Sequence, residues 1–186
     1  MNLTTAQLAT LKAHILASAD PAVIAAIGGG QIGRNDTLLA QLYNLPSASV
    51  VWRSAMPGDE VRNIITWANM TPAMTPDGTA LWTNRALYAQ AKQISLQTMV
   101  QGQSSIPCGV AGIRAGLQDC LTNLPTANDG GTLAAGWQTL RAAMQRFSTV
   151  AEQVYIAGTG TGATPVDLVV EGTVTIANIG QAFSGQ

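Results

Sequence analysis

The alternation of hydrophobic and polar positions predicts a mainly helical protein. Thr4 and Gln7 have the spacing of a capping box, which marks the start of a helix. Leu8, Leu11 and Ile15 follow at intervals of three and four residues, so they share one face of that helix. The chain therefore opens with an amphipathic helix whose apolar stripe is expected to face a core.

Four more helices of ordinary length are predicted by the same spacing and by start signals. Their predicted starts are Asp20-Pro21, Asn35 or Asp36, Pro57 to Asp59, and about Pro107. Proline at the first helical position costs no hydrogen bond, because that N–H has no partner within the helix. The segment Val50-Val51-Trp52 is too short to assign to a helix or a strand.

Two longer helices are also predicted. The first begins at Thr75-Pro76-Asp77 and extends to about Gln101. Its expected buried face consists of Leu81, Leu87, Tyr88, Ala91 and Ile94, with Thr98 and Met99 as further candidates. The second spans about Thr132 to Ala157. Its expected buried face consists of Trp137, Leu140, Met144, Phe147, Ala151 and Val154.

The character of the chain changes after residue 157. Residues 158–165 are rich in Gly and Thr and are predicted to form a linker. Two segments with strand composition, Val166–Val170 and Thr173–Ile176, flank Glu171-Gly172 and predict a β-hairpin. We therefore expect a helical domain over 1–157, the linker, and a strand-containing arm over 166–186. A lone hairpin is marginally stable in water, so the arm is expected to pair with a partner.

Composition narrows the possible functions. Charged residues make up 10% of the chain, against about 25% in typical globular proteins, and hydrophobic residues make up 47%. A surface poor in charge is costly for an isolated monomer, whereas subunit interfaces are depleted of charge. The composition favours a subunit of an assembly, and an ordinary helical monomer remains the alternative.

The charge and the cysteines exclude further classes. The net charge of −1 provides no general attraction to nucleic acid or to an anionic membrane. No apolar stretch reaches the roughly 20 residues that span a bilayer, and the first residues lack the basic flank of a signal peptide. Cys108 and Cys120 are the only cysteines and are expected to be reduced core thiols of a protein made in the cytoplasm.

No candidate chemistry reaches the level of a catalytic prediction. Residues 28–33 match the letters of a dinucleotide fingerprint, but they follow a predicted helix rather than the strand that such a site requires. His14 is the only histidine and lacks the neighbours of a catalytic triad. The two cysteines and the scattered acidic residues do not have metal-ligand spacing. We predict no catalytic residue, no cofactor and no metal.

Other side chains suit contacts with proteins. Seven of the nine cations are arginine, which forms interface hydrogen bonds and ion pairs better than lysine. Arg141 and Arg146 are predicted to share the last helix, where they would face a lumen or a neighbouring subunit. A competing hypothesis is a small helical enzyme or ligand carrier whose pocket is lined by tryptophans. The tryptophans are Trp52, Trp67, Trp82 and Trp137.

Several segments resemble small proteins encoded in the structural modules of tailed bacteriophages. They are Leu3–Ile15, Leu42–Pro46, Val50–Arg53, Ile113–Gly116 and Glu171–Ile176. The chain is thereby similar to head–tail connectors, also called neck adaptors. The neighbouring roles of stopper, tail terminator and decoration protein stay open.

The resemblance implies a mainly helical subunit in a ring, commonly of twelve copies, below the portal of the virion. It also implies contacts with the portal protein and with a tail or nozzle protein, and passage of genomic DNA through the lumen without sequence recognition. No enzymatic activity and no membrane are expected. The C-terminal arm would clasp a partner by strand addition.

The predicted interface residues of this arm are Val166, Leu168, Val170, Val174 and Ile176. Charged substitutions at these positions are expected to abolish assembly and to leave the helical content intact.

Overall fold

The computed structural model describes residues 1–28, 33–70, 80–125, 132–133 and 135–184. Most of the fingerprint at 28–33 and the predicted helix start at Thr75-Pro76-Asp77 lie outside these residues. Within the described ranges the protein is mainly α-helical, as the sequence predicts. The helices are α1 (Thr5–Leu16), α2 (Pro21–Ile27), α3 (Asp36–Tyr43), α4 (Gly58–Ile64), α5 (Ala80–Val100), α6 (Ala111–Leu121), α7 (Trp137–Ala143), α8 (Val150–Gln153) and α9 (Ile176–Ser184), with a 3₁₀ turn at Trp67–Met70.

The strands are short and form pairs. They are β1 (Pro46–Trp52), β2 (Met56–Pro57), β3 (Ser105–Ile106), β4 (Leu124–Pro125), β5 (Thr132–Leu133) and β6 (Gln145–Thr149). The described pairs are β1 with β6, β2 with β3, and β4 with β5. β2–β3 and β4–β5 are antiparallel.

The chain divides into two compact units. The first unit combines Met1–Val51 with Arg146–Gln186, and the second comprises Trp52–Gln145. The expected boundaries at 157/158 and 165/166 do not coincide with this division, because residues 166–184 fold together with the N-terminal helices. Residues 158–165 also pack locally, since the Gly160 carbonyl accepts a hydrogen bond from Val50 N at 3.0 Å.

The first unit has a core built by the helices that the sequence predicts and by α9. Its buried apolar residues are Leu11, Ile15, Val23, Ala26, Leu39, Ala40, Tyr43, Ala151, Val174, Ile179, Ala182 and Phe183. Both N-terminal start signals are confirmed. Thr4 Oγ1 and Gln7 form the capping box of α1, and Asp20 caps α2 by accepting from Ala22 N at 2.8 Å.

The second unit has a separate core between α4, α5, α6 and α7. Its buried residues include Met56, Val61, Ile65, Met70, Leu96, Val100, Ile106, Cys108, Leu117, Cys120, Leu121, Leu124, Trp137, Leu140 and Met144. Of the two predicted long helices, the first is present as α5, with 21 residues and a length of about 31 Å.

The predicted second long helix, Thr132 to Ala157, is wrong. The region forms α7, then the strand β6, then the short helix α8. Phe147, which was expected on a buried helical face, is 61% exposed on β6. Thr149 and Glu152 form a second capping box, which begins α8 at Val150. Pairing of β6 with β1 and this local cap outweigh the apolar periodicity of the segment.

The predicted C-terminal hairpin is also wrong. Val166 makes an isolated parallel bridge with Val51, and Ile176 begins the helix α9. The Asn44 side chain binds both backbone groups of Val174, donating to its carbonyl and accepting from its N–H, each at 2.8 Å. Thr175 and Asn178 bond reciprocally and start α9. The backbone groups of Val174 are thus satisfied by a side chain instead of a strand partner.

Candidate interaction surface

The predicted arm residues are distributed between buried and exposed positions of the first unit. Val170 and Val174 are 8% and 3% exposed, so their side chains are part of the core. Val166 and Leu168 are half-buried, and Val166 N donates to Val50 O at 3.2 Å. Ile176 is 53% exposed at the first position of α9. Of these five predicted interface residues, Ile176 presents the most surface to a partner.

Arg146, on β6, forms ion pairs with Glu152 of α8 and with Glu171 of the C-terminal segment. Its guanidinium binds the two carboxylate oxygens of Glu152 at 2.7 and 2.8 Å and reaches Glu171 at 3.2 Å. Glu152 is 1% exposed and also accepts from Thr149 N and Gly172 N. Burial alone would raise the pKa of Glu152, but these hydrogen bonds outweigh it, so that pKa is lowered from its ordinary value. Arg146 therefore has a role inside the first unit.

Arg141 lies in the second unit, and the two arginines do not share a helix as predicted. Its guanidinium is 5.9 Å from the centre of the Trp52 ring, and that of Arg114 is 4.5 Å from the same ring. Arg114 also donates to the carbonyls of Cys108 and Gly109 at 2.9 and 2.8 Å. The half-buried Trp52 ring therefore lies against two cations.

Of the described tryptophans, Trp67 lines a cavity of about 390 Å³ in the second unit, and neither Trp52 nor Trp137 is among the residues that line it. Trp137 is 5% exposed within the core of the second unit, and Trp52 and Trp67 pack against that core. The Trp67 indole N–H donates to Arg62 O at 3.0 Å. The Trp82 side chain lies outside the described residues. Core packing explains the tryptophans that are described.

The described residues show neither a metal-type cluster nor a thiol of lowered pKa. No group of three or more His, Cys, Asp or Glu side chains in the described ranges is arranged to hold a metal ion. Cys108 and Cys120 are buried free thiols, and burial raises the pKa of both. A raised pKa lowers the thiolate fraction, which is the reactive form. Neither thiol is set up as a nucleophile.

The inner face of α5 packs on its own unit. Ala89, Leu96 and Val100 are each at most 1% exposed, and Lys92 is 6% exposed. The Lys92 ammonium donates to the Asp119 carboxylate at 3.1 Å, to the Asp119 carbonyl, and to Thr122 O at 3.4 Å. It also lies 5.0 Å from the centre of the Tyr88 ring. The lysine is thus paired with the end of α6 while its stem lies among core residues.

The outer face of α5 exposes large apolar side chains to solvent. Leu87 and Ile94 are 58% and 55% exposed, and Tyr88 beside them is 48% exposed. These residues were predicted to form the buried face of the helix, and the structure places them on the opposite side. Because α5 carries two apolar stripes, periodicity alone did not identify the stripe that packs inside the unit.

The outer face also carries no formal charge. The two charged residues of α5, Arg85 and Lys92, lie on the side that faces the unit, where Arg85 is half-buried. The exposed residues between 83 and 101 are Thr83, Asn84, Leu87, Tyr88, Gln90, Ala91, Ile94, Ser95, Gln97, Thr98 and Gln101. We call this set the outer face of α5. The sequence signal that marks it is the absence of Asp, Glu, Lys and Arg from one whole side of a long helix.

Other large apolar side chains are also exposed in the described residues. Outside α5 they are Leu16, Ile24, Leu45, Val110, Phe147, Val169 and Ile176, with exposures from 53% to 74%. Single exposed apolar residues are common on protein surfaces and need no partner. The outer face of α5 differs because its apolar residues are contiguous on one rigid element.

A cavity of about 400 Å³ lies in the first unit. Its lining is His14, Ser18, Asp20, Val23, Leu42, Tyr43, Leu45, Pro46 and Val150. His14 Nδ1 and the Tyr43 hydroxyl are 2.8 Å apart, and their rings meet edge to face. Burial, with a smaller contribution from the Asp20 charge, raises the pKa of Tyr43 to about 12, so its hydroxyl stays protonated.

None of the described helices alone is both long and apolar enough to cross a membrane, although α1 and α2 together, as a bent pair, have sufficient length and apolar composition.

Comparisons with known proteins return no relative. The chain matches no protein-family model, no curated protein and no solved structure.

Proposed function

We propose that this chain is a structural protein of a tailed-phage virion, a head–tail adaptor that forms a ring below the portal. The observation that carries the proposal is the outer face of α5, an uncharged surface on the longest described helix that exposes the large apolar side chains of Leu87, Tyr88 and Ile94. An apolar patch of this kind marks a surface that another protein covers. The resemblance of the sequence to neck adaptors supplies the kind of assembly.

The low charge of the whole chain supports an assembly subunit. Charged residues are 10% of the sequence, and interfaces are the part of a protein surface where charge is depleted. In a ring, each copy covers the exposed apolar residues of its neighbour. The free energy gained by removing apolar area from water, about 25 cal/mol per Å², then stabilises the assembly.

The partners in this proposal are further copies of the chain, the portal protein, and a tail or nozzle protein. A ring of twelve copies continues the channel for genomic DNA, which passes as a non-specific cargo. A net charge of −1 is compatible with this role, because cargo in transit must not bind tightly. The adaptor is made in the host cytoplasm and acts without cofactor, metal or membrane. Stopper and tail terminator are the neighbouring roles that the same surface would serve.

In this proposal the C-terminal segment contacts a neighbour through exposed side chains and not by adding a strand to its sheet. Val170 and Val174 hold the segment to the first unit, while Val169 and Ile176 are 74% and 53% exposed on it. The segment therefore presents individual apolar side chains to a neighbour from a fixed position.

Mass photometry of the protein alone and mixed with the portal of the same genome tests the proposal. We expect association at about one copy per portal subunit. Ile94→Asp places a charge in the centre of the outer face and is expected to abolish association. Gln118→Asp, at an exposed position of α6 in the same unit, is the matched control and is expected to associate normally. Absence of association of the wild-type protein at every salt concentration would reject the adaptor.

The cavity of the first unit favours a second candidate function, a carrier of a small ligand. Its volume of about 400 Å³ lies within the range of ligand pockets, which is about 300–1,000 Å³. Asp20 and the His14–Tyr43 pair give its apolar lining a polar side that suits a ligand with an amine or another donor group. A thermal-shift screen with small amines tests this function. Ser18→Phe, which fills the cavity, must then remove any stabilisation by the ligand.

A further inference from the structure

The outer face of α5 has the spacing of a helix–helix seam. Leu87, Ala91, Ile94 and Thr98 follow one another at intervals of four, three and four residues and are all exposed. Alternating intervals of three and four are what keeps one stripe of a helix in contact with a second helix alongside it. The side chains along this stripe alternate large, small, large, small.

This order of sizes is complementary to itself in the antiparallel direction. In an antiparallel pair of α5 helices centred between residues 92 and 93, Leu87 of one copy lies opposite Thr98 of the other. Ala91 then lies opposite Ile94. A large side chain meets a small one at every level, which is how facing helix positions fill space without voids or clashes. The flanking Gln90, Ser95 and Gln97 bring no charge that would repel its own copy.

We propose that the outer face of α5 binds a second copy of this chain in an antiparallel, two-fold dimer. This inference rests on the proposed function in one respect, namely that the outer face is an assembly surface. A two-fold contact closes on itself and cannot propagate a ring. The dimer is therefore the form of the chain before it joins its assembly, in which two copies cover each other's apolar stripe.

The small area of the contact limits the strength of this dimer. In this register residues 85–100 of the two α5 helices overlap over about 24 Å, and at a width of about 10 Å the contact covers roughly 240 Å² on each copy. Stable interfaces cover about 800 Å² on each partner. We therefore expect a weak and reversible dimer, which dissociates when the chain binds its assembly through a larger interface.

Sedimentation velocity over a range from about 10 μM to 1 mM tests the dimer. The mass of the wild-type protein is expected to rise from 19.2 kDa toward twice that value with concentration. Ile94→Asp is expected to remain monomeric and to keep its circular dichroism spectrum, because Ile94 is exposed. Gln118→Asp is expected to dimerise as the wild type does. A monomeric wild type at the highest concentration, or equal dimerisation of Ile94→Asp, would overturn the inference.

Disulfide trapping tests the antiparallel register. In the proposed dimer, position 87 of one copy faces position 98 of the other, whereas the two 87 positions are about 16 Å apart along the axis. An oxidised mixture of Leu87→Cys and Thr98→Cys, one of them tagged, is expected to give the cross-linked heterodimer. Each variant alone is expected to stay unlinked. The native Cys108 and Cys120 are buried and do not compete. Strong cross-linking of Leu87→Cys with itself would contradict the register.

The two proposals fail in different ways. A wild-type protein that dimerises but never joins the portal would contradict the adaptor function and leave the dimer in place. A wild-type protein that stays monomeric but joins the portal through a contact that Ile94→Asp removes would contradict the dimer. In that case the outer face of α5 binds a different protein, and the adaptor function stands.

Discussion

Asn44 and Val174 are 130 residues apart in the chain and form two hydrogen bonds of 2.8 Å. The Asn44 amide forms hydrogen bonds with both the N–H and the carbonyl of Val174. In a β-sheet, these two backbone groups would bind a neighbouring strand. The Val174 side chain is 3% exposed in the same core as Tyr43. This contact joins the end of α3 to the segment before α9.

Asn44→Ala is expected to destabilise the protein by about 1–3 kcal/mol, because it leaves two backbone groups of a buried residue without their partners. A urea titration gives the free energy of unfolding. Asn63→Ala, at an exposed position of α4, is the control and is expected to change it by less than about 0.5 kcal/mol. Equal stability of the two variants would show that the Asn44 contact is dispensable.

Glu152→Gln is expected to cost about 1.5–3 kcal/mol at pH 7, since it removes charge from a buried carboxylate that binds Arg146 and two backbone N–H groups. Glu171→Gln is the control, because that carboxylate has a single contact with Arg146 at 3.2 Å and is partly exposed. Its expected cost is at most about 1 kcal/mol.

The same glutamate is expected to make stability dependent on pH. Its pKa is lower in the folded protein than its ordinary value of 4.5. The stabilisation is therefore complete above that ordinary value and is lost as the pH falls through the lowered pKa. Urea titrations of the wild type and of Glu152→Gln at pH 7 and below pH 4.5 test this. The difference in the free energy of unfolding between the wild type and Glu152→Gln is expected to be smaller below pH 4.5 than at pH 7. An equal difference at both pH values would contradict a lowered pKa of Glu152.

Val174→Asp is expected to unfold the first unit or to cost about 3–5 kcal/mol, because it buries a charge without a partner. The sequence alone predicted loss of assembly with intact helices for this substitution, and the structure replaces that expectation. Ile176→Asp is the matched comparison, since Ile176 is 53% exposed, and it is expected to keep the wild-type melting temperature. Thermal circular dichroism separates the two variants. Equal melting temperatures would argue against burial of Val174.

Gly160→Ala and Gly112→Ala are expected to have opposite effects. A Cβ atom at Gly160 would lie 1.9 Å from Val50 O, so the segment after α8 must shift and the protein is destabilised. A Cβ atom at Gly112 meets no atom within 4 Å on α6. Alanine there is expected to stabilise the helix by about 0.5–1 kcal/mol. The denaturant midpoint of unfolding is expected to be lower than that of the wild type for Gly160→Ala and higher for Gly112→Ala.

Local signals in the sequence determined the helical class and several helix starts. Thr4 with Gln7 and Asp20 with Pro21 act within one turn of the backbone, so the same hydrogen bonds form in the structure that the spacing predicts. The long helix α5 was likewise predictable, because 21 residues without proline or glycine suit a continuous helix. The mainly helical fold follows from such short-range interactions.

Tertiary structure decided the features that depend on contacts between residues far apart in the sequence. The apolar spacing between Trp137 and Val154 fits a helix, yet β6 pairs with β1, and Phe147 is an exposed residue of that strand. The strand-like residues before Ile176 do not pair, because the Asn44 amide binds Val174. On α5, the sequence determined two apolar stripes of similar spacing. Only the packing of α6, whose end binds Lys92, decided which stripe is buried and which is exposed.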